Sequence, residues 1–524
     1  MNRLHPARVL RALAVACSTL ASLLAADRLT LNFNPDWRFI KDDPAGAQAP
    51  GFDDHAWAIV SAPHTYNDTD TFDNWSTPGH RGEQIQWGGR TWYRKTFTAP
   101  AAWTGKKVYI EFEAVRQIAE VYLNGEKLGI AKTGFTPFGF DLTPHLKTGE
   151  TNVLAVMVDN RFMKDPLDPA TVAEIAKRNG DVAAAPLSSI ANPNLGALSK
   201  KVNETIPESL DDLQADQIPW NNPHWHPAHG GIYRNVRLIV TDPLHITLPL
   251  YSFLQTTGPY AYATDITNRS AQVGIEVPVQ NDRASSETVE LRAEVFDADG
   301  KSVLKLNQSK TLAAGAGAEF KVSSALVSPR LWEPAYPHLY RVVCSLHVGL
   351  RTVDTAEIPL GIRAVRWDAA AGFFINGAHL KLHGWGQKPT DEWPGLGAAQ
   401  PDWLHFYTLN LMKQAGGNFI RWGHAAAGPA QINAGDRLGL VTLQPGTDGE
   451  SDTVKAAWKL RAMAFRDLII YFRNHPSILI WEGGNQKVSR EHAAELRGYM
   501  DRYDPHGGRA YAHRRADQIT AAFM

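Results

Sequence analysis

The residues best suited to chemistry stand together in one stretch, Ile478–Gln486, which reads Ile-Leu-Ile-Trp-Glu-Gly-Gly-Asn-Gln. Glu482 is its one carboxylate, and Asn485 and Gln486 add amides that hydrogen-bond but do not ionise. Glu482 can act as a proton donor only if its side chain faces a pocket and holds its proton near neutral pH. Ile478-Leu479-Ile480 is a continuous branched apolar run, the pattern of a parallel strand covered on both faces. Gly483-Gly484 ends the strand, and a helical pattern starts near Ser489. Strand, polar loop and helix in this order fit a (β/α)8 barrel, where catalytic residues sit at the C-terminal strand ends. Trp481 and Glu482 alternate along the strand, so only one of them faces the barrel interior. This reading favours Glu482 as a structural or supporting charge, with a substitute acid as the alternative.

The elements that must position this stretch begin after Gly361, where short apolar strands alternate with helices. Phe374–Gly377 reads as a hairpin leading into a first barrel strand over Leu380–Trp385. Trp403–Gln414 is helical, Phe419–Trp422 is a second strand, and His424 follows in its loop. A helix over Gln431–Leu438, a third strand over Leu440–Leu443 and a long amphipathic helix over Lys455–Arg473 precede the central strand. A helix over Glu491–Asp501 and a fifth strand over Arg509–Ala512 follow it. Asp448, Glu450 and Asp452 come after the third strand, either acting in the site or forming a solvated loop of turn residues. Trp385 is either a stacking platform for a substrate or an ordinary strand-end Trp.

Upstream the pattern is all-β. From Asp27 to about Thr241, alternating strands such as Thr91–Phe97 and the Asn124-Gly125 hairpin predict a jelly-roll. Residues 161–216 break the pattern with Pro166, Pro169, Pro186 and Pro193, and read as an insertion. It either walls the substrate pocket or is a surface insert. His224, His226 and His229 lie close in sequence, but no acidic or Cys residue accompanies them at ligand spacing. They read as a loop at a domain junction, and no metal or cofactor is expected. Residues 242–364 return to short strands and predict an immunoglobulin-like sandwich.

These motifs resemble glycoside hydrolase family 2. Trp92-Tyr93-Arg94-Lys95, Asn124-Gly125, Asp141-Leu142-Thr143 and Gly231-Ile232-Tyr233-Arg234 resemble that family's galactose-binding-like jelly-roll. Leu331-Trp332-Glu333-Pro334 with Pro337-His338-Leu339-Tyr340 resembles its sandwich signature. Trp481, Gly484 and Asn485 match its Trp-Ser-x-Gly-Asn-Glu strand, with Gln486 at the acid/base position. The resemblance implies that Arg421, His424 and Asn485 bind the sugar. It also implies a nucleophilic Glu on a later strand, near the seventh, to which no residue before Met524 is assigned. The expected organisation is a signal peptide over 1–26, a jelly-roll over 27–241, a sandwich over 242–364 and the N-terminal part of a TIM barrel over 365–524.

The expected function is hydrolysis of terminal β-glycosidic bonds, with this chain by itself inactive. A non-catalytic carbohydrate-binding protein and a structural remnant are the alternatives. The formal net charge of −1 gives no reason to expect nucleic acid or an anionic membrane as a partner. Sixteen Trp suit sugar stacking, although core packing accounts for most of them. Arg3, Arg8 and Arg11, the apolar run Ala12–Leu24 and Ala25-Ala26 form a secretory signal pattern, so the expected location is secreted or periplasmic. Cleavage there leaves Cys344 as the one cysteine and no internal disulfide.

Overall fold

The computed structural model describes residues 28–67, 87–160, 203–213, 229–388, 393, 396–446, 453–485 and 488–513. The signal pattern, His224, His226, Asp448, Glu450, Asp452, Gln486 and the insertion apart from 203–213 lie outside the described residues. Three β-rich units follow one another, and the expected fold class holds.

The jelly-roll packs a four-stranded sheet on a six-stranded one. Its first strand, Leu29–Asn32, pairs antiparallel with its last, Val236–Thr241, so the chain closes on itself. In Arg90–Thr98 both faces are buried toward the strand's start, because each has its own cover. Tyr93 enters the core between the sheets with Trp37, Ile110 and Leu154. Trp92 on the other face meets Trp57, Leu210, Leu213 and Leu460. The described part of the insertion therefore lies between the jelly-roll and a barrel helix, where Asn203 O also accepts from Ala456 N at 2.9 Å.

The sandwich has two four-stranded antiparallel sheets. Strand Ser270–Asn281 buries nearly alternate residues, as the period of two requires. Val273, Ile275, Leu291, Val342 and Cys344 fill the space between the sheets.

Beyond it, five parallel strands pair in sequence order: β1 (Gly384–Gln387), β2 (Phe419–Trp422), β3 (Val441–Pro445), β4 (Ile478–Gly484) and β5 (Ala510–His513). Four helices connect them: α1 (Asp402–Gln414), α2 (Pro429–Leu438), α3 (Lys455–Phe472) and α4 (Arg490–Tyr503). Pro429 opens α2 and Gly439, at φ 70°, ends it, each in its favoured position. The first strand starts later than Leu380. Ala378-His379 instead pairs back on Gly372–Ile375, and the chain joins β2 only after Asn418 Oδ1 accepts from His383 N at 2.9 Å. No helix among the described residues is long and apolar enough to cross a membrane.

Every residue of β4 is buried. On its outer face Trp481 meets Phe465 of α3. On the inner face Ile480 joins Leu443, Phe373, Ile375 and Trp332, so the sandwich–barrel linker plugs the base of the sheet. Trp332 is fully buried and donates Nε1 to Asp436 O at 2.9 Å. Trp332→Ala is expected to cost about 3–5 kcal/mol. Calorimetry should show the barrel transition falling while the jelly-roll transition stays in place.

Candidate active site

The parallel register sets which side chains share a face. Arg421 lies level with Leu443, and Leu443 with Ile480, so Glu482 two residues on projects to the same inner side. Arg421 reaches across the end of β3 and donates Nε to Glu482 Oε1 at 3.1 Å. Its Nη2 donates to the same oxygen and to Asn485 Oδ1, the latter at 2.9 Å. One guanidinium thus fastens β2 to the C-terminal end of β4. The Glu482 side chain is 3% exposed and that of Arg421 is 26% exposed, so the pair lies at the margin of solvent. Both Arg421 bonds end on Oε1, which makes Glu482 a hydrogen-bond acceptor here. This contact places Glu482 on the inner face of the sheet and Trp481 among the helices.

Gly483 shapes the same strand end. A Cβ there would lie 2.2 Å from the Tyr511 hydroxyl of β5, so any other residue would have to displace the Tyr511 ring. Among the expected sugar ligands, Arg421 and Asn485 come together. His424 stands in the loop after β2 and is partly buried. Trp385 does not join them. It pairs in register with Ile420, which packs among the helices, and its ring lies close to Gly417 before β2. Gly386 occupies the level of Arg421 instead. His229 is buried, and its ring would meet a Cβ at Gly397, at the contact between the jelly-roll and the β1–α1 connection. Among the described residues no three His, Cys, Asp or Glu side chains converge as a metal site requires.

Comparison with known proteins agrees with this architecture. The family described as "Glycosyl hydrolase 2 galactose-binding domain-like" matches residues 76–172. "Glycosyl hydrolases family 2" matches 259–363, and "Glycosyl hydrolases family 2, TIM barrel domain" matches 369–521. A β-glucuronidase of Formosa agariphila is 46% identical over 495 residues, covering 94% of this chain and 46% of that protein. The β-galactosidase BoGH2A of Bacteroides ovatus is 29% identical over 481 residues, covering 91% of this chain and 48% of that protein. The solved structure of a β-glucuronidase from glycoside hydrolase family 2 superposes with a TM-score of 0.82 at 44% identity, covering 95% of this chain and 48% of that one. The three family matches together cover more than half of the sequence, and the chain belongs to glycoside hydrolase family 2. It spans about half the length of these relatives.

Two anchors of the His424 loop escape a reading by sequence. Arg234 of the jelly-roll donates Nη2 to Ala426 O at 2.9 Å and Nη1 to Phe135 O at 3.0 Å. Gln444 of β3 accepts from Ala427 N and donates to Ala427 O. Arg234 carries a signal, the Gly-Ile-Tyr-Arg motif, but its partner is 192 residues away. Beside this loop lies a narrow cleft lined by Arg234, His405, Glu113 and Asp402. Burial, reinforced by Arg234, pulls the His405 imidazole down from 6.5 to about 3, and burial pushes the Glu113 carboxyl up. Between these two values the unfolded chain takes up a proton that the folded one refuses, so stability falls as pH drops from 6.5 toward 3. Removing this group should flatten the pH dependence by up to about 1.4 kcal/mol per pH unit. Urea unfolding of wild type and His405→Gln between these limits checks it, and equal slopes would contradict the assignment.

Proposed function

We propose that this chain carries the sugar-recognition part of a glycoside hydrolase site for terminal β-glycosides, with β-glucuronides as the preferred class. The observation that carries the reading is the Arg421–Glu482–Asn485 cluster at the C-terminal ends of parallel strands. The 46% identity to a β-glucuronidase supports the choice of sugar. Asn485 sits at the family position that holds the hydroxyl beside the anomeric carbon. Its Oδ1 accepts from Arg421, which sets the plane of the amide and turns its nitrogen away from the guanidinium. Arg421 fixes that orientation and is itself fixed by Glu482.

Turnover is a separate matter. A retaining mechanism needs two carboxyl groups about 5–5.5 Å apart, one cycling a proton and one attacking the anomeric carbon. The acid/base position holds Gln486, whose amide cannot cycle a proton. Glu482 is engaged as an acceptor by Arg421. The 524-residue chain by itself is therefore proposed to bind sugar without hydrolysing it. A carbohydrate-binding role for the whole protein is the second reading, and Gln486 favours it. The segment 1–26 motivates a secreted or periplasmic location.

The purified chain should bind glucuronate, and Asn485→Ala should weaken that binding by about tenfold, one lost hydrogen bond at a polar site. It should release no aryl alcohol above background from aryl β-glucuronide, β-galactoside or β-mannoside, substrates that need little acid help. Turnover that disappears in Glu482→Ala would overturn the proposal and make Glu482 the working acid.

A further inference from the structure

A second polar cavity, of about 260 Å³, opens where the sandwich meets the base of the barrel. Its walls include Arg363, Arg473, Arg509, Tyr260, Tyr262 and His506. It stands at the N-terminal end of β4, while the Glu482 cluster stands at the C-terminal end. Seven residues of strand separate the two by roughly 20 Å.

The three guanidinium groups are held in place by backbone carbonyls. Arg509 donates to Ile478 O at 2.8 Å, His475 O at 2.8 Å and Arg473 O at 2.9 Å. Arg473 donates to Tyr503 O, Thr257 O and Gly258 O, all within 3.0 Å. Arg363 donates Nη2 to Ile478 O at 3.1 Å. These bonds fix positions but cancel little charge. Among the described residues one carboxylate alone bonds to the three, Asp504 on Arg509 at 2.6 Å. Asp504 is shared further with Tyr260 and Trp481. Asp265 lines the cavity without an ion pair to any of them. The Nε atoms of Arg363 and Arg473 are buried and meet no acceptor, and Arg473 is 8% exposed. Burial, followed by repulsion from Arg509, pulls the Arg363 guanidinium down to about 9, and burial lowers Arg473 as well. The cavity thus concentrates positive charge that its own walls leave under-compensated.

Its remaining surface is aromatic. His506 stacks on Tyr262 with ring centres 4.0 Å apart, and Arg473 lies over the Tyr260 ring at 4.6 Å. Guanidinium groups fixed in a fork geometry recognise oxyanions, and the volume exceeds what a bare sulfate fills. We propose that this junction cavity is a binding site, separate from the barrel mouth, for a small oxyanion: a carboxylate, sulfate or phosphate group, free or carried on a sugar-sized molecule. The anion accepts from Arg363 and Arg473 and joins the sandwich to the barrel base.

Calorimetric titration of the 524-residue chain with sulfate, inorganic phosphate and glucuronate, at matched ionic strength, tests the site. Wild type should bind at least one of them saturably below about 10 mM, apart from glucuronate held at the barrel mouth. Sulfate or phosphate heat that falls in Arg363→Gln while glucuronate heat does not assigns a free inorganic anion. Glucuronate heat that falls in Arg363→Gln assigns a sugar-borne carboxylate, and glucuronate heat that falls only in Asn485→Ala belongs to the barrel mouth. Arg363→Gln should weaken that binding by about tenfold or more. Ala263→Glu keeps every arginine but puts a carboxylate on the cavity wall, and it should block binding to a similar degree. It decides the matter if Arg363→Gln fails to fold. Asn485→Ala, which weakens glucuronate at the barrel mouth, should leave unchanged the sulfate and phosphate heats and any glucuronate heat that Arg363→Gln removes. The proposal is overturned if none of the three anions gives saturable heat beyond the glucuronate heat that Asn485→Ala lowers. It is equally overturned by sulfate, phosphate or non-barrel glucuronate affinity unaltered in Ala263→Glu, or by loss of the sulfate or phosphate heat in Asn485→Ala.

Discussion

The contact between Arg421 and the Glu482–Asn485 end of β4 governs what this site can be. A carboxylate with a side chain 3% exposed is costly to desolvate unless a cation and hydrogen bonds compensate it. Arg421 supplies both from a strand that is not β4's neighbour. The pair therefore requires β2, β3 and β4 to keep their register, since a one-residue slip would send one partner to the helix side. Once that register is set, Asn485 follows from the same guanidinium. The guanidinium that orients Asn485 also occupies the one carboxylate of the strand.

The rest of the chain preserves that register from outside. Trp332 and the hairpin after Gly361 fill the inner face below Arg421, where a void would loosen the strands. Phe465 and Trp481 close the outer face. The jelly-roll contributes at closer range, because Arg234 holds the loop after β2 by a backbone carbonyl. Both β units thus act on the site through short, specific contacts, and neither needs to touch a substrate to shape it.

Much of the fold was legible because it rests on local periodicity. Phe419–Trp422 reads correctly as a strand since two branched or aromatic apolar residues and a Trp sit between a Gly pair and Gly423. The start of β1 was not legible. Leu380 and Leu382 look like strand residues, yet Ala378-His379 pairs back on the hairpin first, and that choice depends on a tertiary partner. Trp385 illustrates the same limit at the site. Its residue type suits stacking, but its register with Ile420 turns it to the helix side. The direction of Glu482 was open for a similar reason: alternation separates it from Trp481 but does not say which one faces inward. Arg234, the buried His405 and the arginine cavity arise from contacts between units, which no local pattern encodes.

A double-mutant cycle on Arg421 and Glu482 tests the account most directly, read by urea unfolding of the barrel transition with Arg421→Ala, Glu482→Gln and the two combined. If the pair is one unit, Arg421→Ala should destabilise by about 3 kcal/mol or more, since it strands the buried Glu482 carboxylate, and Glu482→Gln should destabilise by less, since its amide oxygen still accepts from Arg421. The double change should then cost less than their sum by about 1–3 kcal/mol. Additive losses would contradict the account, because they would mean that β2 and β4 are positioned independently and that Arg421 does not organise the site.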